Sequence, residues 1–279
     1  MIGESSARVT DADRAAYVRD GVVCLRGVLS RETARDLLAL WDEVAEDLEG
    51  HGLVHTAKER KRAMPGAFAV KHPSRIVPAF KPFMTESPIA RLVGELLGAD
   101  SVGFYWDQVF VKEPGSTGRT PWHNDAAGHP LHGEQIVGVW IALTEASPAN
   151  GLECIAGSYR NRELYWPATA YGDLNPMPEG RRRCPDFEER RGDPDVTFLG
   201  WDMAPGDALF IHPRTLHFSR GNTTAARRVA YATWWHGDDV TWAHRPECET
   251  GPPGVDFAAM PRGARPDAPL FPILWRRGA

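Results

Sequence analysis

An α+β chain is predicted, with helices first and a β-sandwich or open barrel after them, because the hydrophobic period changes once along the sequence. Apolar residues recur at helical spacing through the first hundred residues. From residue 102 they fall into short alternating runs divided by Gly, Pro, Asn and Asp turns. No internal repeat or low-complexity tract breaks this order. With 279 residues, 42% of them hydrophobic, the chain is long enough for one domain of this kind. Residues 1–100 then form a helical flank and first strand, 101–245 the β core, and 246–279 a C-terminal extension.

The elements follow in order. Thr10 caps a helix over Thr10–Arg19, with Asp13 three residues on, and Gly21 ends it. Val22–Leu25 is a short buried strand. Ser30 caps a second helix whose Leu37, Leu38, Leu40, Trp41, Val44, Ala45 and Leu48 share a face, with Gly50 as its stop. Residues 51–83 carry no clear period and are expected to be irregular. Ser87–Leu97 is a third helix, closed by Gly98. Val102–Lys112 is a strand, with Tyr105, Asp107, Val109 and Val111 on one face and Phe104, Trp106, Gln108 and Phe110 on the other. Gln135–Leu143, Leu152–Ala156, Ala208–His212 and Arg227–Trp235 are further strands. The segment 159–196 is rich in Pro, Arg, Asp and Glu, and so long an aperiodic stretch inside a domain is expected to be a lid or binding loop.

Composition excludes several classes. A net charge of −5 and a pI near 6.1 leave no basic footprint for nucleic acid. Cys24, Cys154, Cys184 and Cys248 are scattered without a C-x-x-C pair, which points to reduced thiols in a cytoplasm rather than a disulfide or zinc scaffold. The polar N-terminus lacks a signal-peptide core, and no apolar run reaches membrane-spanning length. A monomer or homodimer acting on a small molecule is the expectation.

Trp122-His123-Asn124-Asp125 carries the chemistry. Residues two apart on a strand project from the same face, so His123 and Asp125 bring an imidazole nitrogen and a carboxylate oxygen together. With one more histidine they form the 2-His-1-carboxylate triad that holds Fe(II) and leaves other positions open. His212 and His217 are the candidates. His217 and Ser219 precede the Gly221-Asn222 turn and Arg228 follows it, so a hairpin would bring all three to one pocket. Alternation puts Arg228, Ala230 and Ala232 on one face, opposite Arg227, Val229 and Tyr231. An Arg aimed into such a pocket suits the distal carboxylate of 2-oxoglutarate, with Ser219 as a second donor, while the keto acid chelates iron. Asp107 is a further candidate for contact with substrate or cosubstrate, with a buried structural Asp as the alternative. His129 and His132 follow the motif and are expected to be solvated, Arg181-Arg182-Arg183 to be a solvated face, and Trp201, Trp234, Trp235 and Trp242 to be core.

These pieces, in this order, resemble the phytanoyl-CoA dioxygenase family of Fe(II)/2-oxoglutarate oxygenases, which includes ectoine hydroxylase. The resemblance spans nearly the whole chain. It rests on Asp20-Gly21-Val22-Val23, Lys112-Glu113-Pro114-Gly115, Trp122-His123-Asn124-Asp125, Val139-Trp140-Ile141-Ala142-Leu143, Asn150-Gly151-Leu152, Ala156-Gly157-Ser158, Pro205-Gly206-Asp207, His217-Phe218-Ser219, Asn222 and Arg228. It implies a double-stranded β-helix (jelly-roll, cupin-like) core with N-terminal flanking helices. It implies that His123, Asp125 and His217 ligate iron, that Arg228 and Ser219 hold 2-oxoglutarate, and that Trp140 lines the cosubstrate pocket. Asn124 stands where many members have Gln. Ala156 and Tyr159 replace the Pro and His of P-G-S-H. These departures bear on substrate more than on chemistry.

The implied reaction consumes O2 and 2-oxoglutarate, releases succinate and CO2, and removes a substrate hydrogen. Hydroxylation is the default outcome; desaturation, cyclisation and epimerisation are open to the same chemistry. Related halogenases put a small residue where Asp125 stands, so a carboxylate there argues against halogenation. The alternatives of other classes are a redox-neutral cupin-type isomerase or lyase, which would not need Arg228 or Ser219, and a non-catalytic metabolite-binding protein, which would not need a complete triad. A high-GC composition associates such chains with secondary-metabolite and antibiotic biosynthesis.

Overall fold

The computed structural model describes residues 2, 5–53, 66–166, 177–243, 245, 248, 251, 254–266 and 270–278. Helix α1 (Asp11–Asp20) opens with a capping box: Asp13 N–H donates to Thr10 Oγ1 at 3.2 Å, and Asp13 Oδ2 accepts from Thr10 N–H at 2.9 Å. It ends where Gly21 turns left-handed at φ 77°, letting its N–H reach the Tyr17 carbonyl. Helix α2 (Arg31–Glu46) is capped by Ser30 as expected, but it stops before Gly50, and Asp47 accepts the Gly50 N–H instead. Strand β1 (Val22–Leu25) lies between them.

The stretch expected to be irregular is ordered from residue 66. Strand β2 (Ala67–Lys71) is followed by short helices α3 (Pro73–Ile76) and α4 (Lys81–Thr85). Each is too short to show a period, and prolines interrupt the run. The part of 51–83 at 54–65 lies outside the described residues. Helix α5 (Ile89–Leu97) starts later than Ser87 because Pro88, which has no N–H, takes the cap position.

The β core has two antiparallel sheets. The larger contains β1, β2, β3 (Ser101–Lys112), β6 (Ile136–Ala142), β11 (Ala208–Ile211), β13 (Arg228–His236) and β15 (Ile273–Arg276), in the order β1-β11-β6-β13-β3-β15 with β2 also on β3. The smaller runs β10 (Phe198–Gly200), β7 (Glu153–Ile155), β12 (His217–Ser219) and β4 (Thr120–His123). Two-stranded pairs join β5 (Leu131–His132) to β14 (Thr241–Trp242), and β8 (Tyr165–Trp166) to β9 (Arg182–Arg183). This is a double-stranded β-helix with a helical flank.

The helices cover the outer face of the larger sheet. Leu37 and Trp41 of α2, Phe80, and Leu92 and Val93 of α5 share one buried cluster with Val109, Val111, Val139, Ile141, Phe210, Val229 and Tyr231. The inner face of that sheet and the smaller sheet enclose the cleft. Gly206 makes the tight turn before β11; its φ is 95°, and a Cβ there would sit 2.2 Å from the Leu29 carbonyl oxygen.

Alternation along β3 does not run unbroken. Trp106 is paired with Trp234 and Phe104 with Trp235, leaving Tyr105 in a bulge. Phe104 therefore joins the helical side with Val109 and Val111, whereas Tyr105 and Trp106 both join the inner cluster. Asp107 is fully buried on the helical side. Its Oδ2 accepts from Ser74 N–H at 2.9 Å and from the Tyr231 hydroxyl at 2.8 Å, which ties α3 to the sheet.

Burial pushes the Asp107 carboxyl up to about 6 from an ordinary 3.8, despite those two donors. A raised acid in the folded state stabilises below the unfolded value and loses that advantage as pH rises through the folded one. Between pH 4 and 6, wild type should lose up to about 3 kcal/mol relative to Asp107→Asn, read by urea unfolding at pH 4 and pH 7. A difference that stays constant with pH would contradict this.

Candidate metal and cosubstrate site

The three expected ligands meet at the rim of the smaller sheet. β4 and β12 are antiparallel neighbours with His217 directly opposite His123, and their rings lie 4.2 Å apart. Asn124 continues the extended backbone beyond β4, so Asp125 turns back onto the same side. Asp125 Oδ1 is 3.6 Å from His123 Nε2 and 3.6 Å from His217 Nε2. All three donor atoms fall within 4.8 Å of one another. Ligands at about 2.1 Å from one ion and at right angles stand about 3 Å apart, so a small contraction suffices to close on a metal.

The local backbone orients both rings. His123 Nδ1 donates to the Pro121 carbonyl at 2.8 Å, and His217 Nδ1 to the Thr215 carbonyl at 3.0 Å. A carbonyl only accepts, so each Nδ1 carries the proton and each Nε2 turns a lone pair to the centre. Burial, with His123 adding to it, pushes His217 down to about 4, leaving it neutral at pH 7. Burial opposes charge at Asp125, yet the imidazoles of His217 and His123 hold the carboxyl well below the usual range. Burial also opposes charge at His123, but its contact with Asp125 outweighs that and raises it.

Asp125 Oδ2 accepts from the indole Nε1–H of Trp234 at 2.9 Å, which leaves Oδ1 for the metal. Trp234 was expected to be core. It does belong to the inner buried cluster, and it also lines the cleft, which the alternation Arg228, Ala230, Ala232 extended by two residues would have found. His129, expected in solvent, is buried and packs edge-on against Tyr105 and Trp234 at 5.5 and 5.9 Å. His132 is exposed.

Arg228 and Ser219 reach the same cleft, though not through a hairpin. β12 belongs to the smaller sheet and β13 to the larger, so the two side chains approach from opposite sheets. Three residues of β12 are too few to reveal a change of sheet. Arg228 is 2% exposed. Its Nε donates to the Asn150 carbonyl at 3.2 Å, and its guanidinium lies 5.5 Å over the Trp140 ring. Burial lowers its pKa only to about 10, so it remains a cation, and no acidic side chain among the described residues pairs with it. Arg227 points the other way, to Asp42 on α2. His212 packs at a tilt against Tyr17 and Tyr159 and does not join the triad.

The cleft holds about 170 Å³ of water-accessible space and is lined by the triad, Arg228, Ser219, Trp140 and Asn124. Asn124 also donates to the Glu163 carbonyl at 2.9 Å, tying the motif to the segment after 159. Asp107 is not in the cleft. Its neighbours Trp106, Gln108 and Phe110 are, because β3 turns that face inward. Of the expected lid, Trp166 lines the cleft, residues 167–176 lie outside the described set, and Arg182 and Arg183 are exposed on β9.

A double-stranded β-helix carrying a two-histidine, one-carboxylate cluster and a buried cation defines a class of metal-dependent barrel protein. The family model "Phytanoyl-CoA dioxygenase (PhyH)" matches residues 17–230. The chain belongs to the phytanoyl-CoA dioxygenase family. It is 30% identical over 162 residues to phytanoyl-CoA dioxygenase domain-containing protein 1 of Danio rerio; the match covers 55% of this chain and 51% of that one, so it spans about half the length of the curated relative. Among solved structures, the epimerase SnoN with Fe3+, alpha ketoglutarate and nogalamycin RO superposes with a TM-score of 0.73 at 22% identity, covering 95% of this chain and 98% of that one. The carbocyclase SnoK from nogalamycin biosynthesis gives 0.70 at 21%, covering 97% and 99%. EctD from S. alaskensis with bound Fe gives 0.66 at 17%, covering 95% and 89%. No helix among the described residues is long and apolar enough to cross a membrane.

Trp234→Phe keeps an aromatic ring, though a smaller one, and removes the donor to Asp125. Loss of such a support to a ligand costs about 10- to 100-fold in metal affinity. Fe(II) titration of the variant should show a loss in that range with an unchanged fold; wild-type affinity would rule out the role of the indole.

Proposed function

We propose that the chain is an Fe(II)- and 2-oxoglutarate-dependent oxygenase that oxidises a neutral, largely apolar small molecule. The observation that carries this is one cleft holding both a His123–Asp125–His217 ligand set and a buried Arg228 without an acidic partner among the described residues. The donor set suits Fe(II): two neutral imidazoles and one carboxylate leave positions for a chelating keto acid and O2. When bound, the iron supplies the coupling of O2 reduction to cosubstrate decarboxylation and to removal of a substrate hydrogen. Each turnover takes RH, 2-oxoglutarate and O2 to ROH, succinate and CO2.

The chain's own residues do the rest. Arg228 pairs with the distal carboxylate of 2-oxoglutarate, Ser219 donates a second hydrogen bond, and Trp140 walls that end. Asn124 fixes the loop that carries Asp125. Gln108 and Trp106 face the cleft from β3. Asp125 as a ligand argues against halogenation. Trp106, His129 and Ile211, gathered at the Trp234 end of β13, give with Trp234 and Trp166 an aromatic-rich wall for substrate. Asp125 is the sole acidic side chain among the described lining residues, and the metal engages it, so nothing there pairs with a cationic substrate. Hydroxylation is the expected outcome. Cyclisation or epimerisation is the second reading, because SnoK and SnoN carry those names on the same fold. Antibiotic tailoring follows from the same likeness, and the four free cysteines suit a reducing cytoplasm.

Purified chain with Fe(II), 2-oxoglutarate and O2 should release succinate even without substrate. His123→Ala or Asp125→Ala should abolish this. Arg228→Met, which strands a buried carboxylate, should raise KM for 2-oxoglutarate on the order of 100-fold. Succinate release that survives both ligand changes would overturn the reading. Iron-independent turnover of a substrate without succinate would favour a redox-neutral isomerase or lyase.

A further inference from the structure

The Lys112-Glu113-Pro114-Gly115 motif closes β3 and brings in a buried lysine that neither the metal nor Arg228 engages. Lys112 is 2% exposed. Its Nζ donates to the Ser219 carbonyl at 3.0 Å, to Ser219 Oγ at 3.0 Å, and to the Arg220 carbonyl. An ammonium has three donors and no acceptor, so these contacts use all three and make the Ser219 oxygen an acceptor. The hydroxyl proton must then leave in another direction. The Arg220 carbonyl lies 3.4 Å away and is already engaged by Lys112. The open direction is the cleft, which Ser219 lines together with Arg228, the residue directly opposite Lys112 across the β3–β13 ladder.

Lys112 itself does not line the cleft. Burial, with Arg228 and Arg119 adding to it, pushes its ammonium down to about 6, and no acidic side chain among the described residues pairs with it. An anion beside Arg228 would cancel that repulsion and favour the ammonium form of Lys112, the form in which all three contacts are donated and the Ser219 hydroxyl is left to point at the anion.

We propose that Lys112 is a positioning residue that holds Ser219 as an obligate donor to the distal carboxylate of 2-oxoglutarate. This rests on the assignment of the Arg228 end of the cleft to that cosubstrate. The lysine acts through the serine: it takes up the hydroxyl oxygen's lone pair and points the proton inward, so the carboxylate meets a donor that is already oriented.

The test is anaerobic calorimetric titration of the Fe(II)-loaded chain with 2-oxoglutarate and with 2-oxopentanoate, which keeps the chelating keto acid and lacks the distal carboxylate. Lys112→Met and Ser219→Ala should each weaken 2-oxoglutarate binding about 10-fold. The double variant should be no weaker than the worse single one, since the two act as one unit. Affinity for 2-oxopentanoate should be the same in wild type and Lys112→Met. Equal losses for both ligands would make Lys112 a packing residue and overturn the proposal, as would losses that multiply in the double variant or a Lys112→Met that binds like wild type. If Lys112→Met does not fold, Lys112→Gln carries the same comparison, with part of the affinity kept through its amide donor. Wild type that fails to bind 2-oxoglutarate at all would overturn the cosubstrate assignment and this proposal with it; wild type that binds while Lys112→Met is unchanged would overturn the proposal alone.

Discussion

The pairing of β4 with β12 sets His217 across from His123, and the rest of the site depends on that register. A slip of one residue would turn one imidazole to the opposite face and leave a single histidine beside Asp125. The pairing is short, and what holds it comes from both sides. Trp122 stacks on Phe218 at 5.0 Å directly behind the two ligands, on the face of the smaller sheet turned away from the metal. The carbonyls of Pro121 and Thr215, each two residues before its histidine, fix the rings. The third ligand is steadied from the opposite sheet by Trp234. The ligand cluster thus sits on the smaller sheet and is tied to the larger one through the Trp234–Asp125 hydrogen bond.

The second constraint is electrostatic. Burying Arg228 and Lys112 side by side without an acid costs desolvation that, among the described residues, only hydrogen bonds to carbonyls and a hydroxyl offset. Surface charge is handled differently: Arg191 and Arg220 both meet Glu153, and Arg26 meets Asp207. A fold that pairs these outer arginines with acids and leaves an inner one without an acidic partner among its described residues has stored an affinity for an anion of matching shape. Bound 2-oxoglutarate would relieve that cost, so cosubstrate should stabilise the fold as well as complete the active site. The aromatic wall at the Trp234 end carries no such charge. On the proposed reading, that asymmetry separates a cosubstrate end from a substrate end within one cleft.

Much of this was legible in the sequence, and the legible parts share a property: their signals are local. Thr10 with Asp13, Ser30 with its apolar face, and the alternation that separates Arg228 from Arg227 each lie within one element. His123, Asp125, His217, Arg228 and Ser219 come together in the fold as the family resemblance implied, where spacing alone left His212 beside His217, although Ser219 and Arg228 do so across two sheets rather than around a hairpin. The obscured parts depend on contacts between elements. β2 is a short strand in a Pro-punctuated stretch, and only its pairing with β3 makes it a strand. The bulge at Tyr105 shifts a period that the sequence carries unbroken. Asp107 was a reasonable candidate for the cleft until the helical layer claimed its face for Ser74 and Tyr231, and Gln108 took the inward position. Trp234 and Lys112 show their use only once a partner, Asp125 or Ser219, arrives from far along the chain.

The central claim is that one cleft holds iron and 2-oxoglutarate together. Anaerobic titration of the Fe(II)-loaded chain with 2-oxoglutarate, followed by the visible charge-transfer absorption of a chelated keto acid, tests it most directly. The account predicts one iron per chain and saturation at one 2-oxoglutarate per iron. Iron that binds with no absorption change on adding 2-oxoglutarate would contradict it.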